Sequence, residues 1–209
     1  MSNTLAYFLD GKIYINLTNR CTNDCVFCLR SEKSDVCGQE MWLDSEDFSA
    51  AEVISQLDFQ IKNHKEVKDI VFCGYGEPTL KLDILKEVAK YVKEKYSDKK
   101  IRINTNGTAN IVYKRNIVPE LKGLIDTISV SLNAENEKEY NRLSQPKLND
   151  AYNGVLNFMK ASSDCGIETV ASIVDGYNGE HHDIDLCKKI AKDNGATLRV
   201  REYIENGYS

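Results

Sequence analysis

"IYINLTNRCTNDCVFC", residues 13–28, joins a β-branched run to three closely spaced thiols, Cys21, Cys25 and Cys28. Ile13–Thr18 alternates as a strand does, and the polar residues after it end the run, so the cysteines fall on a loop at the strand's carboxyl end. Five further runs follow the same pattern: Asp69–Cys73, Lys100–Thr105, Thr127–Leu132, Glu168–Val174 and Leu198–Tyr203. Between them, apolar residues recur every three or four positions over Ser45–Asn63, Lys81–Tyr96, Val112–Lys122, Asp150–Ser163 and Asp185–Asp193, which predicts helices. Strands alternating with helices favour a parallel sheet, because each parallel connection needs a crossover. Periodicity leaves open whether that α/β sheet is flat and doubly wound or curved into an incomplete barrel. Either way reactive groups belong at the carboxyl ends of the strands. There lie Arg20–Cys28, Gly74–Pro78, Asn106–Gly107 and Asn133.

With 209 residues and no repeat or linker of Pro, Gly or Ser, the chain reads as a single domain over 1–209. No apolar run approaches the roughly 20 residues of a membrane-spanning helix. "MSNTLAYFLDGK" has no secretion-signal pattern, which predicts a cytoplasmic location. The net charge of −5 and interspersed lysines do not indicate nucleic acid. Seven unevenly spaced cysteines suit metal or redox chemistry better than a disulfide framework.

Thiolates bind soft and borderline metals. Structural zinc normally takes four protein ligands, and electron-transfer iron–sulfur clusters take four cysteines. Cys37, Cys73, Cys165 and Cys187 stand apart from the trio, and "SEKSDVCGQEMW" reads as a flexible loop over the site. Three cysteines on one loop would leave an iron of a cube open to another ligand. A metal-binding or electron-transfer scaffold without chemistry of its own is the competing reading. Cys73, on an expected core strand, reads as a small hydrophobe, and His181 and His182 as solvated turn residues.

The spacing C-x-x-x-C-x-aromatic-C, with Phe27 before the last cysteine and a strand before the first, resembles the signature of the radical S-adenosylmethionine superfamily. That resemblance implies a partial (β/α)6 TIM-type barrel of parallel strands with outer helices. It also implies a [4Fe-4S] cluster on Cys21, Cys25 and Cys28, and S-adenosylmethionine cleaved to a 5′-deoxyadenosyl radical. "FCGYGEPTL" resembles the superfamily's Gly-Gly-Glu motif, with Tyr75 for the first glycine and then Gly76 and Glu77, implying contact with the cofactor's amino group. "RINTNGT" and "VSLNA" place ribose and carboxylate contacts, by the same resemblance, on Asn104, Asn106, Ser131 and Asn133. Ser172, Arg199 and Arg201 alternate as inward-facing residues do, with a surface ion pair the commoner fate of such arginines. Together with "WLDSE", these motifs look most like the short radical proteins associated with TatD-type hydrolases. The implied partners are a reductant such as flavodoxin or ferredoxin, and a TatD-type hydrolase or a protein substrate. A glycyl-radical activase and a deazapurine carboxylate synthase are the specific alternatives.

Overall fold

The computed structural model describes residues 3–204. An unanticipated hairpin opens it: β1 (Ala6–Leu9) pairs antiparallel with β2 (Lys12–Ile15) across Asp10 and Gly11, both at positive φ. The cysteine loop follows. Next, β3 (Asp35–Val36) and β4 (Gln39–Glu40) form a two-stranded ribbon turned at Cys37 and Gly38, again with positive φ. "SEKSDVCGQEMW" is therefore a small hairpin and not an irregular loop. Alternating β/α units complete the chain: α1 (Ala50–Asn63), β5 (Asp69–Phe72), α2 (Leu82–Lys95), β6 (Lys100–Thr105), α3 (Ala109–Val112), β7 (Thr127–Ser131), α4 (Glu137–Ser144), α5 (Ala151–Asp164), β8 (Glu168–Asp175), α6 (Ile184–Asp193) and β9 (Thr197–Glu202).

All six expected strands are present. The long helix expected over Val112–Lys122 is not. α3 stops at Val112, Lys114 takes φ +53°, and a 3-10 turn spans Val118–Leu121 with Pro119 in its first turn. Proline lacks the N–H that a continuing α-helix would need. Short, polar α4 was missed because only Tyr140, Leu143 and Ser144 are buried on it. It is defined by its ends, Asn136 accepting from the Glu139 N–H and Gln145 in the left-handed conformation.

The seven strands form one sheet in the order β1-β2-β5-β6-β7-β8-β9, parallel throughout except for β1. Along β6 the side chains alternate: Ile101, Ile103 and Thr105 are buried, whereas Arg102 and Asn104 line a cavity on the other face. The helical side holds the main core, with Val53 and Leu57 of α1, Leu85 and Val88 of α2 and Phe158 of α5 covering Ile13, Ile70, Ile103 and Ile128. Each such side chain, fully buried, stabilises the fold by about 1.5–3 kcal/mol. Side chains from β1 (Tyr7) and from β9 (Arg199, Arg201) line the same cavity, although those strands are not paired. The sheet is thus curved into a partial barrel left open between its edge strands.

Candidate functional site

The cysteine loop leaves β2 through Asn16, Leu17 and Thr18 and is pinned from two sides. On one side, Val26 donates its N–H to the Leu143 carbonyl, Asp24 to those of Ser144 and Gln145, and Lys147 to that of Thr22. The end of α4 therefore holds the loop's backbone, a role its polar sequence gave no hint of. On the other side, Glu77 donates its N–H to the Arg20 carbonyl at 2.8 Å. Gly76 passes so close that a Cβ would lie 2.3 Å from the Thr18 oxygen and 2.5 Å from the Arg20 oxygen. Only glycine lets these two backbones approach in this way.

Cys21, Cys25 and Cys28 all line the cavity, which has a volume of about 380 Å³. Burial, and after it the neighbouring Cys28 and Cys21, raise the Cys25 thiol to about 12. The Cys21 thiol is also raised, first by burial and then by Glu77. Thiols so crowded keep their protons until a cation takes their place, which is how metal binding is coupled to deprotonation. Among the described residues no three His, Cys, Asp or Glu side chains are gathered tightly enough for a single metal ion. A cube spreads its cysteine ligands over separate irons, whereas a zinc ion needs its ligands around one point. Cys37 lies exposed at the ribbon turn and is not among the cavity's lining residues.

Arg30 is more than a loop cation. Its guanidinium donates to the carbonyls of Asn19 and Asn23 and to Asp24, tying the start of the cysteine loop to its end.

Glu77 is 3% exposed. Its Oε1 accepts from the Thr79 N–H (3.1 Å), the Thr79 hydroxyl (2.6 Å) and the Thr105 hydroxyl (2.8 Å), while Oε2 accepts from the Asn106 N–H at 2.7 Å. Burial pushes this carboxyl above the usual carboxylate range, against the pull of those donors. Asn106, held by that bond, donates its side-chain amide to Thr22 (2.7 Å) and to the Cys21 sulfur (3.6 Å). Glu77 thereby links the loop after β5 to the end of β6 and, through Asn106, to the first cysteine. One lone-pair direction on Oε2 remains for a ligand ammonium.

Phe27, Tyr75, Gly76, Asn104, Ser131 and Asn133 line the cavity as well. Every residue singled out from the sequence for cluster or cofactor is thus gathered at one place. Asn133 adopts φ +60° and donates to Ser144 at 3.0 Å, and the Phe27 ring meets Tyr177 edge-on. The buried Asn104 Oδ1 has no hydrogen-bond partner, an unmet acceptor on the cavity wall. Tyr75 does more than its backbone suggested: its ring packs with Tyr7, Val36 and Met41, and its hydroxyl donates to the Lys33 carbonyl at 2.7 Å. It fastens the β3–β4 ribbon over the cavity.

Two expectations are corrected. Cys73 does not face the core but lines the cavity. Ser172, Arg199 and Arg201 line it too, as their alternation suggested, and share the wall with Arg102, Tyr7 and Tyr14. Arg102, Tyr7 and Tyr14 were missed, although Arg102 stands at the inward parity of Asn104 two residues before it. His182 is not solvated: its side chain is 11% exposed and its Nδ1 lies 3.0 Å from Glu135, whereas His181 is exposed and pairs with Asp175.

A family model described as the Radical SAM superfamily matches residues 15–189. An uncharacterised protein of Methanocaldococcus jannaschii is 26% identical over 181 residues, covering 84% of this chain and 52% of its own length. The chain thus spans about half the length of that curated relative. Among solved structures, Streptococcus suis SuiB bound to its precursor peptide SuiA superposes with a TM-score of 0.67 at 20% identity, covering 92% of this chain and 39% of SuiB. Native anSMEcpe with bound AdoMet gives a TM-score of 0.62 at 16% identity, covering 94% and 52%. At those identities the structures speak for the fold alone.

Proposed function

Since the chain belongs to the radical S-adenosylmethionine superfamily, whose enzymes use a [4Fe-4S] cluster with S-adenosylmethionine and need a reductant, we propose that Cys21, Cys25 and Cys28 hold the cluster and that this cavity binds the cofactor. When bound, the pair supplies a 5′-deoxyadenosyl radical that abstracts hydrogen from a substrate. The reading is carried by one observation: the three thiols and the residues from "GYGE", "NTN" and "SLN" line a single cavity at the carboxyl ends of the strands.

In this reading each group in the chain has a defined task. The α4 end and Arg30 fix the backbone of the cysteine loop that presents the three sulfurs. The Gly74–Glu77 backbone and the free direction on Glu77 Oε2 receive the cofactor's ammonium. Asn104, Asn106, Ser131 and Asn133 meet its carboxylate and ribose, satisfying the Asn104 acceptor that has no partner within the chain. Phe27 packs beside the last thiol, and the ribbon anchored by Tyr75 limits water at the mouth.

No helix of the described residues is long and apolar enough to cross a membrane. A cytoplasmic enzyme served by a flavodoxin or ferredoxin fits the reading. Association with a TatD-type hydrolase rests on the sequence motifs alone.

Anaerobic reconstitution with iron and sulfide, followed by reduction in the presence of S-adenosylmethionine, tests this. The wild-type chain should release 5′-deoxyadenosine. Cys21→Ala, Cys25→Ala and Cys28→Ala should each abolish that release and the cluster's absorbance. Turnover persisting in any of the three would refute the assignment.

A further inference from the structure

Two of the three thiols are met by side chains from outside the cysteine loop. Asn106, directly after β6 and 8% exposed, places its amide nitrogen 3.6 Å from the Cys21 sulfur and 2.7 Å from the Thr22 hydroxyl. The other end of the amide settles which way it faces. Its Oδ1 accepts from the Thr108 backbone N–H at 3.1 Å, a bond that an NH2 group cannot make, so the nitrogen is the end directed at Thr22 and Cys21. Glu77 fixes the backbone beneath, accepting the Asn106 N–H at 2.7 Å. The Thr108 hydroxyl, which donates to the same Oδ1, lies 2.7 Å from that of Thr22 and can turn to it, leaving Oδ1 a lone pair for the cofactor.

Ser144, the last residue of α4, is fully buried. Its carbonyl and that of Leu143 accept the N–H groups of Asp24 and Val26, the two residues flanking Cys25. The serine side chain is thereby brought against the second thiol. Its Oγ accepts from the Asn133 amide at 3.0 Å, and its hydroxyl proton goes to the Cys25 sulfur, opposing the burial-driven rise of that thiol. A neutral thiol is a weak acceptor, whereas a thiolate makes a charge-assisted bond. Two buried donors held against sulfurs by second residues are therefore worth most when those sulfurs are ligands.

We propose that Asn106 and Ser144 are positioning residues that set the reduction potential of the cluster, by donating hydrogen bonds to the thiolates of Cys21 and Cys25. This rests on the reading above for the cluster, and it adds a task for Asn106 to the one given there. A donor draws charge from the thiolate, and the cube carrying one more electron gains more from it than the oxidised cube. The potential rises in consequence. One electron passes from the reductant to the cube, and neither donor gives up its proton.

The test uses the full chain, reconstituted anaerobically with iron and sulfide and titrated with dithionite without S-adenosylmethionine, the reduced cluster being followed by electron paramagnetic resonance. Asn106→Ala and Ser144→Ala should each lower the midpoint potential at wild-type iron content. Together they should shift the one-electron equilibrium by about tenfold, or about 59 mV. In D2O, the reduced wild-type cluster should show exchangeable deuterons by electron–nuclear double resonance, and their coupling should weaken in each variant, which a merely structural role would not produce. Asn106→Asp keeps the shape and the acceptor for Thr108 while removing the donor, and it decides the matter if Asn106→Ala does not fold. Wild-type potential and deuteron coupling in the variants overturn the proposal, and so does loss of iron from Ser144→Ala and Asn106→Asp, which would make the pair scaffolding. An unshifted potential leaves the radical reading standing, whereas a wild-type chain that assembles no cluster removes that reading itself.

Discussion

Glu77→Gln isolates what the buried carboxylate does. In the wild type, two of its four donors are backbone N–H groups, of Thr79 and Asn106, facing different oxygens. The threonine hydroxyls can rotate to other acceptors, but these N–H groups cannot. Glutamine has one carbonyl to offer, so whichever N–H it serves, its NH2 is turned against the other. A buried donor left unsatisfied costs about 1–3 kcal/mol. For a chain of this size each kcal/mol moves the melting temperature by about 2–4 °C, so the variant should melt roughly 2–12 °C lower. The difference should also depend on pH. Burial raises the folded-state pKa of Glu77 above its ordinary 4.5, so the folded chain keeps a proton that the unfolded chain has released. Stability contributed by this group is therefore fully present below the ordinary value and is lost as pH rises through the folded one. Glutamine carries no such dependence. Scanning calorimetry of both proteins from pH 5 to pH 8 should show the wild type's advantage narrowing as pH rises. An advantage that widens, or a variant as stable as wild type throughout, would mean that the carboxylate is not the hub described.

Gly76→Ala places a methyl against the Thr18 and Arg20 carbonyls, so the cysteine loop must shift, and iron retained after reconstitution should drop well below wild type. Tyr75→Phe removes the hydroxyl's bond to Lys33 at a cost of about 1 kcal/mol, and amide hydrogen exchange should quicken over residues 33–42 while the sheet is unaffected. Cys187→Ala and Cys37→Ala, the first buried on α6 and the second exposed on the ribbon, should both retain full iron content. Loss of the cluster in Cys37→Ala would make the ribbon a fourth ligand arm.

The parallel sheet was legible because its strands and most helices carry strong periodicity, and the cysteine loop because its spacing is rare. What escaped has a common physical character. The β1–β2 and β3–β4 hairpins and α4 are short elements whose stability comes from turns, caps and contacts with distant segments, none of which leaves an apolar period. α4 holds the cysteine loop through backbone carbonyls that any residue would supply, while its Ser144 and Tyr140 side chains accept from Asn133 and Asn23. The arginine wall escaped for another reason: on a strand, parity fixes which residues share a face, but whether that face meets solvent, helices or a cavity depends on the curvature of the whole sheet. Asn104 and Arg102 have the same parity, and a motif drew attention to one and not the other. Once the open barrel brings β6 opposite β9, the same alternation that marked the cofactor residues marks three cations facing a shared space. The two ends of that space then divide the chemistry, thiols and amides at the strand ends and guanidinium groups deeper in and toward the open edge.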